Sequence, residues 1–176
     1  MAEDPQRGVL ESGTVSVGDG APDFELPALI EGVRKRLRLS AYRGQKNVLL
    51  AFYPFNWQEV SARQLVGYQV QRPRVLACQA ETVAITVDSI MNSAAWEREI
   101  GPFDFPICAD FWPHGEVCGR YGVLRASGPG AGASERAVFI VDRGGRVVFR
   151  KVYAGEEDAP LDDVYPLLER IQNASG

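Results

Sequence analysis

The stretch "NVLLAFYPFNWQEVSARQL", residues 47–65, sets an unbroken apolar run from Val48 to Tyr53 against an abrupt polar segment. Side chains of a strand point alternately to its two faces, so a continuous apolar run predicts a central strand covered on both. Pro54 stops it. From Ser61 the residues Leu65, Tyr68 and Val75 recur at helical spacing, with Val66 and Val70 as a second apolar row. Pro73 is expected to kink or end that helix.

Working outward, "TVAITVD" at 82–88 reads as a second core strand, and "SIMNSAAWEREIG" at 89–101 as a helix opened by a Ser89 cap and closed by glycine. "FPICAD" predicts a short strand and "GEVCGRYGV" a short helix ending near Gly122. "ERAVFIVDRGGRVVFRKVY" at 135–153 is two β-rich runs joined through Asp142 to Gly145, a hairpin. "PLDDVYPLLERIQNA" gathers Leu161, Val164, Leu167, Leu168 and Ile171 on one side of a last helix. On the other flank, "VRKRLRL" at 33–39 reads as a half-buried strand, and "VGDGAPDFELPAL" at 17–29 as an irregular or edge-strand entry. The small residues of "ASGPGAGAS" at 126–134 predict a mobile loop. Alternating strands and helices, a hairpin and a final helix give an α/β class with a central mixed β-sheet flanked by helices, the order a thioredoxin-like fold requires.

At 176 residues and 45% hydrophobic content the chain fits a single domain, 1–176, with residues 1–14 expected to be flexible. A net charge of -4 argues against a nucleic-acid partner or an anionic membrane surface. The N-terminus shows neither a secretory signal nor an anchor, so a cytoplasmic protein with no membrane partner is expected. Cys78, Cys108 and Cys118 are odd in number and lack C-x-x-C spacing, which fits neither a disulfide framework nor a metal site. No metal and no cofactor are expected.

Together "VGDGAPDFELPAL", "RLSAYRGQKNVLLAFYP", "FPICADFWPHGEVCGRYGV" and "ERAVFIVDRGGRVVF", in this order, resemble the peroxiredoxins. Within them the one-cysteine alkyl hydroperoxide reductase and bacterioferritin-comigratory types are the most similar, over roughly residues 15–172. The resemblance implies an antioxidant oxidoreductase that reduces hydroperoxides with a thiol reductant and pairs as a homodimer. Its motif, P-x-x-x-T/S-x-x-C with an arginine from the late hairpin, falls on Pro54, Gln58, Ser61 and Arg136. Gln58 stands where a hydroxyl residue belongs, and Ser61 where the peroxidatic cysteine belongs.

In the complete motif a thiolate at a helix N-terminus is stabilised by the helix dipole and a guanidinium, and becomes sulfenic acid as the O–O bond breaks. A serine hydroxyl is far less acidic and has no step equivalent to the sulfenic state. As written, then, the chain is not expected to be a peroxidase through residue 61. Ser61 reads as an ordinary helix cap, as a deliberate Cys-to-Ser replacement, or as natural loss of the sulfur; divergence at Gln58 as well favours loss. The alternative function is a non-catalytic binding or regulatory protein, holding a small polar ligand between Arg136 and the helix start, with Phe55 and Trp57 as an apolar wall. Hydrolase chemistry has only the lone His114 to offer as a base and no Gly-x-Ser-x-Gly elbow. Cys108 reads as a small core hydrophobe, Cys118 as a weak candidate for a relocated thiol, and Cys78 as the more exposed of the three.

Overall fold

The computed structural model describes residues 13–155 and 157–175. The apolar run forms β3 (Asn47–Phe52), every residue of which is buried. It lies between β4 (Ala80–Thr86), parallel to it, and β6 (Arg136–Val141), antiparallel to it. With β1 (Glu25–Ile30), β2 (Val33–Arg38), β5 (Ile107–Ala109) and β7 (Val147–Tyr153) they form one seven-stranded mixed sheet in the order β2-β1-β5-β4-β3-β6-β7. This is the α/β, thioredoxin-like arrangement anticipated from the order of elements.

Alternation along β3 divides the core. Val48, Leu50 and Phe52 join Val83, Ile85, Phe139 and Tyr121 in one cluster, and Leu49, Ala51 and Tyr53 join Ala84, Val138, Ile140 and Trp96 in another. The second cluster is covered by α1 (Glu59–Val70), α2 (Arg72–Ala77), α3 (Ile90–Ile100) and α5 (Tyr165–Ala174) through Leu65, Tyr68, Val75, Trp96 and Leu168. The first is covered by α4 (Glu116–Arg120) and the segment before β1, where Tyr121 donates its hydroxyl to the Pro22 carbonyl at 2.7 Å. Ser89 caps α3 as its sequence predicts, accepting from the Asn92 N–H at 3.2 Å. The hairpin of β6 and β7 also forms as read, turning between Asp142 and Arg146.

Several local expectations change. Pro73 does not bend the first helix: α1 ends at Val70, and Pro73 opens α2, where a missing N–H costs no helical bond. Val66 and Val70 do not form a second buried row but are exposed. The segment around Leu26 is no edge, since β1 pairs with β2 on one side and β5 on the other. The edge on this side of the sheet is β2, where within the strand only Leu37 is buried and the cations face water. The 126–134 loop is tied by bonds from Arg125 N–H to the Ala133 carbonyl and from Gly132 N–H back to the Arg125 carbonyl, with Ala133 and Ser134 fully buried. Small size lets those two residues pack where larger ones could not.

The expectation for residues 1–14 lies mostly outside the described residues; Thr14 packs against Gly122 and Val15 is buried. Among the described residues no helix is long and apolar enough to cross a membrane.

Candidate functional site

β3 delivers the chain to Pro54 at the mouth of a cleft, and residues 54–58 then turn it into α1. That turn is held by a polar network that the sequence alone did not disclose. Asn56, buried, donates its backbone N–H to Asp88 at 2.7 Å and its amide to Asn92 and Ser93, each at 3.0 Å, and accepts from the Tyr53 hydroxyl at 2.8 Å. Burial raises the Asp88 pKa, with the Asn56 N–H opposing the shift. Trp57, in the left-handed region at φ 64°, donates its indole N–H to Asn92 at 3.0 Å. The ring is drawn towards α3 and stays exposed. Phe55 packs into the core cluster beneath the first face instead. Neither residue lines the cleft, so the expected apolar wall is absent there.

Gln58 is the N-cap of α1, but its side chain makes no capping bond, and Glu59 occupies the first turn. Ser61 therefore sits inside the helix rather than at the cap. Its hydroxyl is fully buried and has two partners: it donates to Gln58 Oε1 at 3.3 Å and accepts from Arg136 Nη2 at 3.2 Å. A guanidinium can only donate, which directs the serine hydrogen to the glutamine. Arg136 opens β6 and is 3% exposed. The β3–β6 register that sets Ala137 opposite Phe52 brings the neighbouring Arg136 to the end of β3 where the chain leaves for α1. Its Nη1 donates to Gln64 Oε1 at 2.5 Å, and its Nε has no partner. Burial pulls the guanidinium pKa down, against attraction from Asp158, yet arginine remains a cation.

The four residues singled out by sequence thus meet. Pro54, Gln58 and Arg136 line a cleft of about 610 Å³, together with Glu59, Arg63 and Arg125. Ser61 lies behind that lining, joined to it through Gln58 and Arg136. Gln64 and Tyr68 were missed. Gln64 donates to the Tyr68 hydroxyl at 3.1 Å, and Tyr68 donates to the Ala159 carbonyl at 2.7 Å, which fixes the amide that holds Arg136. Their i+3 and i+7 spacing from Ser61 was the available signal, since it sets all three on one helix face.

The cysteines lie elsewhere. All three are buried, Cys78 included, against the expectation that it would be the more exposed. Burial raises each thiol pKa, and for Cys108 and Cys118 the Asp110 carboxylate pushes it further. Asp110 accepts the N–H groups of Val117 and Cys118 at 3.2 and 2.8 Å and so fixes α4. His114 shares a 2.6 Å hydrogen bond with the Gly132 carbonyl; because a carbonyl only accepts, its Nε2–H donates, which ties down the 126–134 loop.

A thioredoxin-like sheet that presents a helix start to a buried arginine defines the class. A family model described as AhpC/TSA matches residues 17–150, and the chain belongs to this family of peroxiredoxins. Alkyl hydroperoxide reductase E of Mycobacterium tuberculosis is 34% identical over 138 residues, 78% of this chain and 86% of that protein. Peroxiredoxin-2 of Mus musculus is 33% identical over 175 residues, 93% and 82% respectively. The reduced 2-Cys peroxiredoxin of Plasmodium vivax matches the fold with a TM-score of 0.83 at 23% identity, over 90% of this chain and 83% of that one. For AhpC of Mycobacterium tuberculosis the values are 0.80 and 21%, over 92% and 96%.

Proposed function

We propose that this chain is a peroxiredoxin-like antioxidant protein that does not turn over hydroperoxide through residue 61, and that its cleft holds a hydroperoxide or another small oxygen-rich ligand. One observation carries the reading: the position that faces Arg136 from the first turn of α1 bears a hydroxyl, not a thiol, bonded to Gln58 and Arg136. A serine oxygen can hold a hydrogen bond there but cannot take the oxygen atom released when an O–O bond breaks. The other thiols do not replace it. Buried and with raised pKa, they hold little thiolate, the form that attacks peroxide. Family membership supports the antioxidant setting, a thiol reductant and homodimer formation as parts of the same reading, to which cytoplasmic residence belongs as a proposal only; size-exclusion chromatography over a range of concentrations tests the dimer.

The direct test follows hydroperoxide consumption by the unaltered chain with dithiothreitol as thiol donor, alongside a count of free thiols. The expected result is no consumption above the rate without protein and three thiols retained. Catalytic consumption with the donor present, or loss of a protein thiol to hydroperoxide with the donor withheld, would overturn it.

A further inference from the structure

β2 ends the sheet on the side away from β7, and among the described residues no strand pairs with its outer side. Its register with β1 fixes what that side offers. Just past the strand, the Leu39 N–H donates to the Phe24 carbonyl at 3.1 Å, and bonded and non-bonded pairs alternate along an antiparallel ladder. Lys35 and Leu37 therefore turn their backbone groups to β1, whereas Arg34, Arg36 and Arg38 turn theirs outward. Pro27, which has no N–H to give, stands opposite Arg36, in keeping with this alternation. Arg34 and Arg36 thus offer an N–H and a carbonyl each, and Arg38, the N-cap of the 3-10 turn Leu39–Tyr42, an N–H. The charge on the strand is equally one-sided. Arg34, Lys35, Arg36 and Arg38 are all exposed. Glu25 alone serves both Arg36, at 3.1 Å, and Arg38, at 3.0 Å; among the described residues no carboxylate forms an ion pair with Arg34 or Lys35. A cleft of about 360 Å³ runs beside the same strand, lined by Arg36, Leu37 and Arg38 with Ile30, Tyr42 and Lys46.

We infer that the outer side of β2 accepts an extended acidic peptide segment of a partner protein as an eighth strand of the seven-stranded sheet. Main-chain bonds to Arg34, Arg36 and Arg38 hold such a segment, and its alternate side chains fall on the two faces of the sheet. Carboxylates on one face lie beside the three arginines, which share only Glu25. Apolar side chains on the other face lie on the side of Leu37, towards the cleft. A second copy of this chain is not the occupant. Laid against itself in either direction, β2 sets arginine and lysine opposite one another, and the far edge, β7, would bring Arg150 and Lys151. Charges that keep an edge from pairing with its own kind select an acidic strand by the same repulsion. The inference concerns binding alone and is independent of the chemistry at residue 61.

The test titrates the full chain with a short synthetic peptide that alternates glutamate and valine, blocked at both ends, and follows calorimetry and the amide shifts and hydrogen exchange of residues 33–39. Two control peptides accompany it. One carries lysine for glutamate; the other keeps every charge but has its backbone nitrogens methylated, which removes the strand's donors. The glutamate peptide is expected to bind saturably and to slow exchange at the Arg34 and Arg36 amides, and both controls to bind at least about tenfold more weakly. Arg34→Glu, at an exposed position without an ion pair, is expected to weaken the glutamate peptide at least about tenfold. If that variant does not fold, the contrast among the three peptides on the unaltered chain still decides. No binding of the glutamate peptide, equal binding of the methylated one, or undiminished binding by folded Arg34→Glu would overturn the inference. So would tighter binding of a short single-stranded oligonucleotide at the same residues, which would make the edge a site for polyanions rather than for a strand.

Discussion

Arg136 and Ser61 meet only because β6 runs antiparallel beside β3, yet what each can do is set by a few atoms. A sulfur at position 61 would occupy the first turn of a helix and lie beside a guanidinium, both of which stabilise a thiolate. The Ser61→Cys protein is therefore predicted to carry one thiol with a pKa below about 7.5, beneath the free-cysteine value of about 8.5. Ultraviolet thiolate absorbance against pH measures it, and Arg136→Gln in the same background should raise the value. A residue 61 thiol that titrates at or above the free value would show that the arginine and the helix start do not act on this position. Legibility at this scale was partial. Pro54, Gln58, Ser61 and Arg136 could be picked out because local strings carry them. For Gln64 the spacing gives only a shared helix face with Ser61; its role depends on a contact 72 positions away along the chain.

The elements that flank the site hold it by different means. The 54–58 turn is fixed by hydrogen bonds more than by apolar burial, with the buried Asn56 making three side-chain bonds across to Tyr53, Asn92 and Ser93. Asn56→Ala strands those partners, and the expected cost is about 1–3 kcal/mol in urea unfolding, the range for buried polar groups left unsatisfied. A loss below about 0.5 kcal/mol, the size of an ordinary surface substitution, would mean that the network does not hold the turn. Further along, Asp163 receives the Lys151 ammonium and the Tyr153 hydroxyl, each at 2.9 Å, and joins β7 to the segment that leads into α5. The Lys151 bond chiefly lowers its pKa from the ordinary 3.8. Because the folded value is the lower one, this contribution is complete above the unfolded pKa near 4 and is lost as pH falls through the folded value. Asp163→Asn is predicted to remove that part of the acid loss while costing about 0.2–1 kcal/mol at neutral pH, as for a solvent-exposed pair. Thermal melts of both proteins between pH 2 and 7 follow from linkage and give the comparison. These roles escaped the sequence reading because Asn56 and Asp163 are residue types that loops use everywhere; only their distant partners make them specific.

At the scale of the molecule, periodicity revealed the hydrophobic strands and amphipathic helices, and their order indicated the thioredoxin-like class. Strand order was less accessible. β1 and β5 share only two register pairs, and nothing in "FELPALI" or "FPICAD" announces that they meet. The exposure of Val66 and Val70 and the burial of Cys78 were hidden for the same reason, since a helix's apolar row does not disclose which neighbours will cover it. What the assembled sheet provides is a fixed frame in which β3, β6 and α1 converge, with an arginine aimed at a position that lacks sulfur. The measurement that tests this most directly is hydroperoxide reduction by the chain and by its Ser61→Cys variant, in parallel, with dithiothreitol as donor. The frame predicts no turnover by the chain and multiple turnovers by the variant, with sulfenic acid trapped at residue 61 when the donor is withheld. A folded variant that stays inactive and forms no sulfenic acid would contradict it, and would show that Gln58 and the lining around it have changed more than the one atom.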